Sequence, residues 1–100
     1  MCMNKIYCFD IDETLCKSPD LNYENSIPIP ERIDIVNRLY DEGCIIKIFT
    51  ARGSKTKIDW SELTKKQLSA WGLKYHELHF GKPYADYYID DKAKDVFDWF

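Results

Sequence analysis

Apolar residues fall along this chain in two patterns, short unbroken runs and longer stretches with a three- to four-residue beat. Lys5-Ile6-Tyr7-Cys8-Phe9 is nearly all apolar and ends at Asp10, which predicts a strand buried on both faces of a parallel sheet. Residues 16–29 carry Pro19, Asn22, Asn25, Ser26 and Pro28 without helical periodicity and are expected to form an irregular loop. Pro30 then suits a first helical turn; Ile33, Val36, Leu39 and Tyr40 recur at helical spacing over residues 31–42, and Gly43 is the stop. Cys44-Ile45-Ile46-Lys47-Ile48-Phe49 predicts a second buried strand ending at Thr50, so strand, helix and strand make a βαβ unit with a right-handed crossover.

The remaining elements are shorter. Trp60, Leu63, Gln67, Ala70 and Trp71 mark a second helix, with Asp59 and Glu62 arranged as a capping box and Gly72 at the stop. Leu78-His79-Phe80 and Tyr87-Tyr88-Ile89 read as strands, the latter followed by a helical stretch through Val96, Phe97 and Phe100. The connection over residues 81–86 is too short for an ordinary parallel crossover. Either the stretch at 78–80 is a stub of strand, or the chain passes extended along the end of the sheet. The expected architecture is α/β: a three-layer, Rossmann-like domain with a mainly parallel sheet of about four strands.

One hundred residues make one domain, 1–100, with no room for a second core. Leu, Ile, Val and Phe number 25, above the level of disordered chains. A net charge of −3 argues against a broad electrostatic footprint on nucleic acid. Between Lys47 and Lys66 the balance is +4 all the same, with Arg52, Lys55 and Lys57 just past a strand end. That stretch either steers an anionic substrate or is a solvated face. No apolar run approaches the eighteen or so residues of a membrane span, and the N-terminus runs straight into a strand, so a cytoplasmic protein with no membrane partner is expected. Cys2, Cys8, Cys16 and Cys44 form no CxxC pair and are expected to be reduced structural thiols. His76 and His79 have no third ligand at zinc spacing.

Open parallel sheets bind ligands just outside the carboxyl ends of their strands, and here those ends read Asp10-Ile11-Asp12-Glu13-Thr14, Thr50-Ala51-Arg52, Lys82 and Asp90-Asp91. An Asp or Thr after a strand is usually a turn former or a helix cap. Several carboxylates at one sheet edge would repel one another without a cation, and oxygen ligands with room for water and phosphate suit Mg²⁺. Asp10, ionised at neutral pH, can then attack phosphorus. Asp12 can protonate the leaving alkoxide and later deprotonate the hydrolytic water. Thr50 offers a hydroxyl and Lys82 a cation to the phosphoryl oxygens, and Arg52 a forked contact to substrate.

The same residues, Asp10-Ile11-Asp12-Glu13-Thr14, then Thr50, then Lys82 in Gly-Lys-Pro, then Asp90-Asp91, resemble in order the four motifs of the haloacid dehalogenase superfamily of phosphotransferases. The resemblance spans nearly the whole chain. It implies a phosphatase in which Asp10 is the nucleophile and Asp12 the acid/base and a backbone-carbonyl metal ligand. It further implies that Thr50 and Lys82 bind phosphate and that Asp90 or Asp91 completes the Mg²⁺ site, Asp91 being favoured with Asp95 as its support. Phe-Thr-Ala-Arg-Gly and Tyr-Ile-Asp-Asp-Lys-Ala are further similar to short phosphatases of capsule and surface-sugar biosynthesis, which suggests a sugar- or polyol-phosphate substrate.

Some features depart from that pattern. Glu13 stands where many members have Gly, and its side chain is expected to face away from the site. The spacing from Lys82 to Asp90 is short. There is no room for a cap domain, and residues 17–29 are a flap at most. An uncapped site takes a bulky substrate or is covered by a second subunit, which would make a homo-oligomer functional. Two other readings compete. A phospho-accepting signalling domain of the receiver type uses Asp, Thr, Lys and Mg²⁺ on a similar sheet but lacks a second Asp in the position of Asp12. A polynucleotide 3′-phosphatase would require the basic, aromatic-lined stripe that this chain lacks.

Overall fold

The computed structural model describes residues 5–19, 23–52, 59–80 and 86–89. In chain order the elements are strand β1 (Ile6–Asp10), two-residue strands β2 (Cys16–Lys17) and β3 (Ile27–Pro28), helix α1 (Pro30–Asp41), strand β4 (Ile45–Phe49), helix α2 (Ser61–Ala70), and strands β5 (Glu77–His79) and β6 (Tyr87–Ile89). The main sheet has the order β5-β4-β1-β6, and every pairing in it is parallel. The chain is a small α/β domain with a parallel sheet and no extra domain, as the hydrophobic pattern predicts.

Register explains the core. Tyr7 stands opposite Ile46 and Tyr87, Phe9 opposite Ile48 and Ile89, and Ile48 opposite Leu78. Because side chains alternate across a strand, these residues share one face. That face packs with Ile33 and Val36 of α1 and Leu68 of α2 in a single cluster. Both helices thus lie over the same face, as two successive right-handed crossovers in one direction require. Asn37 of α1 bridges to the turn after α2, donating to the Gly72 carbonyl and accepting from the Lys74 amide.

On the other face β1 meets the expectation of a strand buried on both sides, since the adjacent Cys8 and Phe9 are both 0% exposed, and β4 does not. In β4 only Ile46 and Ile48 are buried, and Ile45, Lys47 and Phe49 are half-buried. Lys47 there faces Glu77, which also pairs with His79 at 2.7 Å. The helical stretch expected over residues 90–100, which would supply a third layer, lies outside the described residues.

Three further details differ from the sequence reading. Residues 16–29 contain order: β2 and β3 pair antiparallel, with a 3₁₀ turn at Tyr23–Asn25 between them. The capping box on α2 is absent, because the helix begins at Ser61 with Trp60 as its cap residue. Asp59 instead accepts from the Ser61 amide and hydroxyl at 2.9 and 2.6 Å. As one of the two alternatives for the short connection has it, β5 is a three-residue stub, and it stands on the opposite edge of the sheet from β6. Cys44 is disulfide-bonded while Cys8 and Cys16 are free and buried, since CxxC spacing tests only cysteines close in sequence.

His76 has a structural role at the start of β4. Its Nδ1 accepts the Ile46 amide at 3.0 Å, and its ring stacks on Tyr40 at 4.6 Å.

Candidate active site

β1 is a central strand, and the chain turns sharply where it ends. The Ile11 carbonyl accepts from the amides of Thr14, Leu15 and Cys16, and the Glu13 amide returns a bond to the Cys16 carbonyl. This closed loop requires Glu13 at a φ of 65°, the left-handed region that favours glycine. Its carboxylate turns away from the loop to accept from the Ser18 amide and Lys17 Nζ, at 3.1 and 3.2 Å. The turn leaves Asp10 half-buried at the strand end, with Oδ1 accepting from the Ile11 amide at 2.9 Å. Arg32 of α1 braces the loop by donating to the Thr14 carbonyl at 2.8 Å. The Thr14 hydroxyl is buried and without a hydrogen-bond partner.

Asp12 meets Arg52, which follows β4. Arg52 Nε donates to Asp12 Oδ2 at 3.0 Å and Nη2 to Oδ1 at 2.8 Å, a forked ion pair. The Arg52 side chain is 0% exposed and that of Asp12 18%. Nη1 donates to Thr64 Oγ1 and Gln67 Oε1 on α2, and Nη2 also reaches Ser26 Oγ at 3.3 Å. This differs from the expected forked contact to substrate: the guanidinium turns inward because it has a half-buried carboxylate to neutralise.

The hairpin of β2 and β3 closes over the pair. Ser18 Oγ donates to Asp12 Oδ1 at 2.5 Å and lies 2.7 Å from Ser26 Oγ. With the Ser18 proton given to Asp12, the Ser26 hydroxyl donates to Ser18. Tyr23 lies over the guanidinium, 4.6 Å from ring centroid to Cζ, and meets Trp60 edge-on. Burial, with Asp12 and Asp10 adding to it, pushes the Tyr23 phenol above its ordinary pKa, against the opposing pull of Arg52. The Cys16 thiol is pushed up to about 11, chiefly by burial. Ser18, Tyr23, Ser26, Thr64 and Gln67 were not legible as site residues. The one signal was indirect, since an Arg just past a buried strand needs acceptors from somewhere.

Thr50 is buried at the end of β4, one residue past the partner of Asp10. Its hydroxyl accepts the Arg52 amide at 3.1 Å, which leaves its own proton for donation. Ala51 is exposed. Lys82, Asp90 and Asp91, together with Lys55 and Lys57 of the basic stretch, lie outside the described residues. Among the described residues no three His, Cys, Asp or Glu side chains form a metal-binding group. Asp10 and the Asp12 main chain are the donors that fit a hard cation such as Mg²⁺.

A compact α/β domain with polar residues gathered at the carboxyl ends of its central strands is the class that fold and site define. Within it, the chain is similar to a crystallised structural-genomics target from Vibrio cholerae, with a TM-score of 0.75 and 26% identity over 95% of this chain and 86% of that one. No family model matches the chain, and no curated protein does. No helix of the described residues is long and apolar enough to cross a membrane.

Proposed function

We propose that this chain is a Mg²⁺-dependent phosphomonoester hydrolase of the haloacid dehalogenase type, working through an aspartyl-phosphate on a small sugar- or polyol-phosphate. The observation that carries the reading is the turn after β1. It puts Asp10 and Asp12 at one strand end, next to the end of the neighbouring strand, where Thr50 follows the register partner of Asp10.

In the first step a carboxylate oxygen of Asp10 attacks phosphorus and the ester P–O bond breaks, with Asp12 giving its proton to the departing alkoxide. In the second, water attacks phosphorus, Asp12 takes its proton, and the bond to Asp10 breaks to release phosphate. The Thr50 hydroxyl donates to a phosphoryl oxygen as charge develops there. Mg²⁺, held by the Asp10 carboxylate and the Asp12 carbonyl, would screen the charge of the phosphate; the late pair Asp90 and Asp91 is proposed to complete its site, and Lys82 to bind the phosphoryl group. A second copy of the chain covering the open site is part of the proposal.

The test is phosphate release from sugar, polyol, nucleotide and amino-acid phosphates, with Mg²⁺ and with EDTA. Turnover should appear with Mg²⁺, vanish with EDTA and fall by on the order of 10³-fold or more in Asp10→Asn. Stable phosphate left on Asp10 from acetyl phosphate, without turnover, would instead favour a phospho-accepting signalling domain.

A further inference from the structure

We propose that Arg52 is a positioning residue that fixes Asp12 for proton transfer and does not bind the phosphoryl group. The inference rests on the phosphatase reading and assigns within it a residue whose place after β4 suggested a substrate contact.

The geometry of the guanidinium carries it. Arginine has five N–H donors in a planar fork. Nε is taken by Asp12 Oδ2, Nη1 by Thr64 and Gln67, and Nη2 by Asp12 Oδ1 and Ser26. Five donors meet five acceptors, and the side chain is 0% exposed. A phosphoryl oxygen could be served only by abandoning one of these partners of a fully buried guanidinium.

The acceptors are themselves held. Gln67 Nε2 donates to the Tyr23 carbonyl at 2.5 Å, which orients its Oε1 toward Arg52. Thr64 and Gln67 are three residues apart on α2, so both reach the same side of the helix. The Tyr23 ring covers one face of the guanidinium. Ser26, Ser18 and Asp12 complete a ring of hydrogen bonds that returns to Arg52. Asp12 is thereby fixed from three directions: the β4 end, the β2–β3 hairpin and α2. A proton donor displaced by even an ångström from its acceptor loses much of its rate, whereas a misplaced phosphate ligand mainly loses binding.

The experiment is steady-state hydrolysis of p-nitrophenyl phosphate with Mg²⁺ by the unsubstituted protein, Arg52→Lys and Gln67→Leu. A lysine keeps the charge but cannot fork onto two carboxylate oxygens or reach α2. The expected result is a fall in kcat of on the order of 10²-fold for Arg52→Lys with KM unchanged. Gln67→Leu, which touches neither Asp12 nor substrate, should lower kcat less than tenfold, again at constant KM, and it carries the test if Arg52→Lys does not fold. In the NMR spectrum the Arg52 Nε–H should be protected from exchange, and that protection should be lost in Asp12→Asn. A raised KM with kcat intact, or an Nε–H that exchanges freely in the unsubstituted protein, would overturn the inference while leaving the phosphatase reading standing. Absence of turnover by the unsubstituted protein would overturn that reading, and this inference with it.

Discussion

Glu13 occupies a left-handed backbone position that most side chains avoid, and its two hydrogen bonds to Ser18 and Lys17 are what it gains there. Removing the side chain in two ways separates strain from contact. Glu13→Gly loses the contacts and relieves the strain, while Glu13→Ala loses the contacts and keeps the strain. Urea unfolding should find the alanine variant less stable than the glycine variant by about 1 kcal/mol. An alanine variant as stable as the glycine one would show that the loop relaxes. Next to it, the buried Thr14 hydroxyl lacks a partner. An unsatisfied buried hydroxyl costs about 1–3 kcal/mol, so the isosteric Thr14→Val should raise stability by about 1 kcal/mol in the same assay. A loss instead would mean that the hydroxyl has a partner in solution.

At the scale of elements, α2 depends on a cap that stands one residue before its own cap position. Asp59 accepts from the Ser61 amide and hydroxyl, and those bonds lower its pKa below the ordinary carboxylate value. A depressed carboxylate stabilises the fold above its unfolded pKa, and that contribution is lost as pH falls through the folded value. The protection of the Ser61 amide, its exchange rate set against the intrinsic rate at each pH, should therefore fall on acidification below about pH 4, and Asp59→Ala should lack that protection at neutral pH. A Ser61 amide indifferent to both changes would remove the cap.

The longer elements were legible because β1, α1 and β4 each carry at least five residues of one periodicity. The hairpin of β2 and β3 was not, since two-residue strands have no period and Pro28 lies within one of them. Lys47 was readable as a strand residue but not as the mark of a half-open face. Asp10, Asp12 and Thr50 were legible as strand-end residues. The partners of Arg52 were not, because Ser18, Ser26, Thr64 and Gln67 reach it only through tertiary folding.

For the whole molecule the phosphatase reading makes a prediction that does not depend on turnover. A cation that binds only the folded state stabilises it by mass action. Mg²⁺ at about 100 times its Kd should add about 2.7 kcal/mol to the unfolding free energy of the unsubstituted protein, and much less to that of Asp10→Asn. Equal stabilisation of both would move the cation away from the end of β1. The expectation of a second subunit over the site is checked at the same scale by sedimentation. A monomer with full activity on small phosphomonoesters would show that the open site works alone.

The placing of β5 and β6 on opposite edges of the sheet governs how this chain comes off the ribosome. Of the four strands of the sheet β1 is synthesised first, and β4 can cover one of its sides soon afterwards. Its other side pairs only with β6, through contacts such as that between Ile6 and Asp86, eighty residues apart. Until residue 87 has emerged, the nascent domain carries a central strand with one open flank, a template for pairing with a neighbouring chain. Closing that flank is a non-local step with a large loop-closure cost, so it should come late and set the folding rate. The interval in which this protein is vulnerable to aggregation is therefore the wait of β1 for β6.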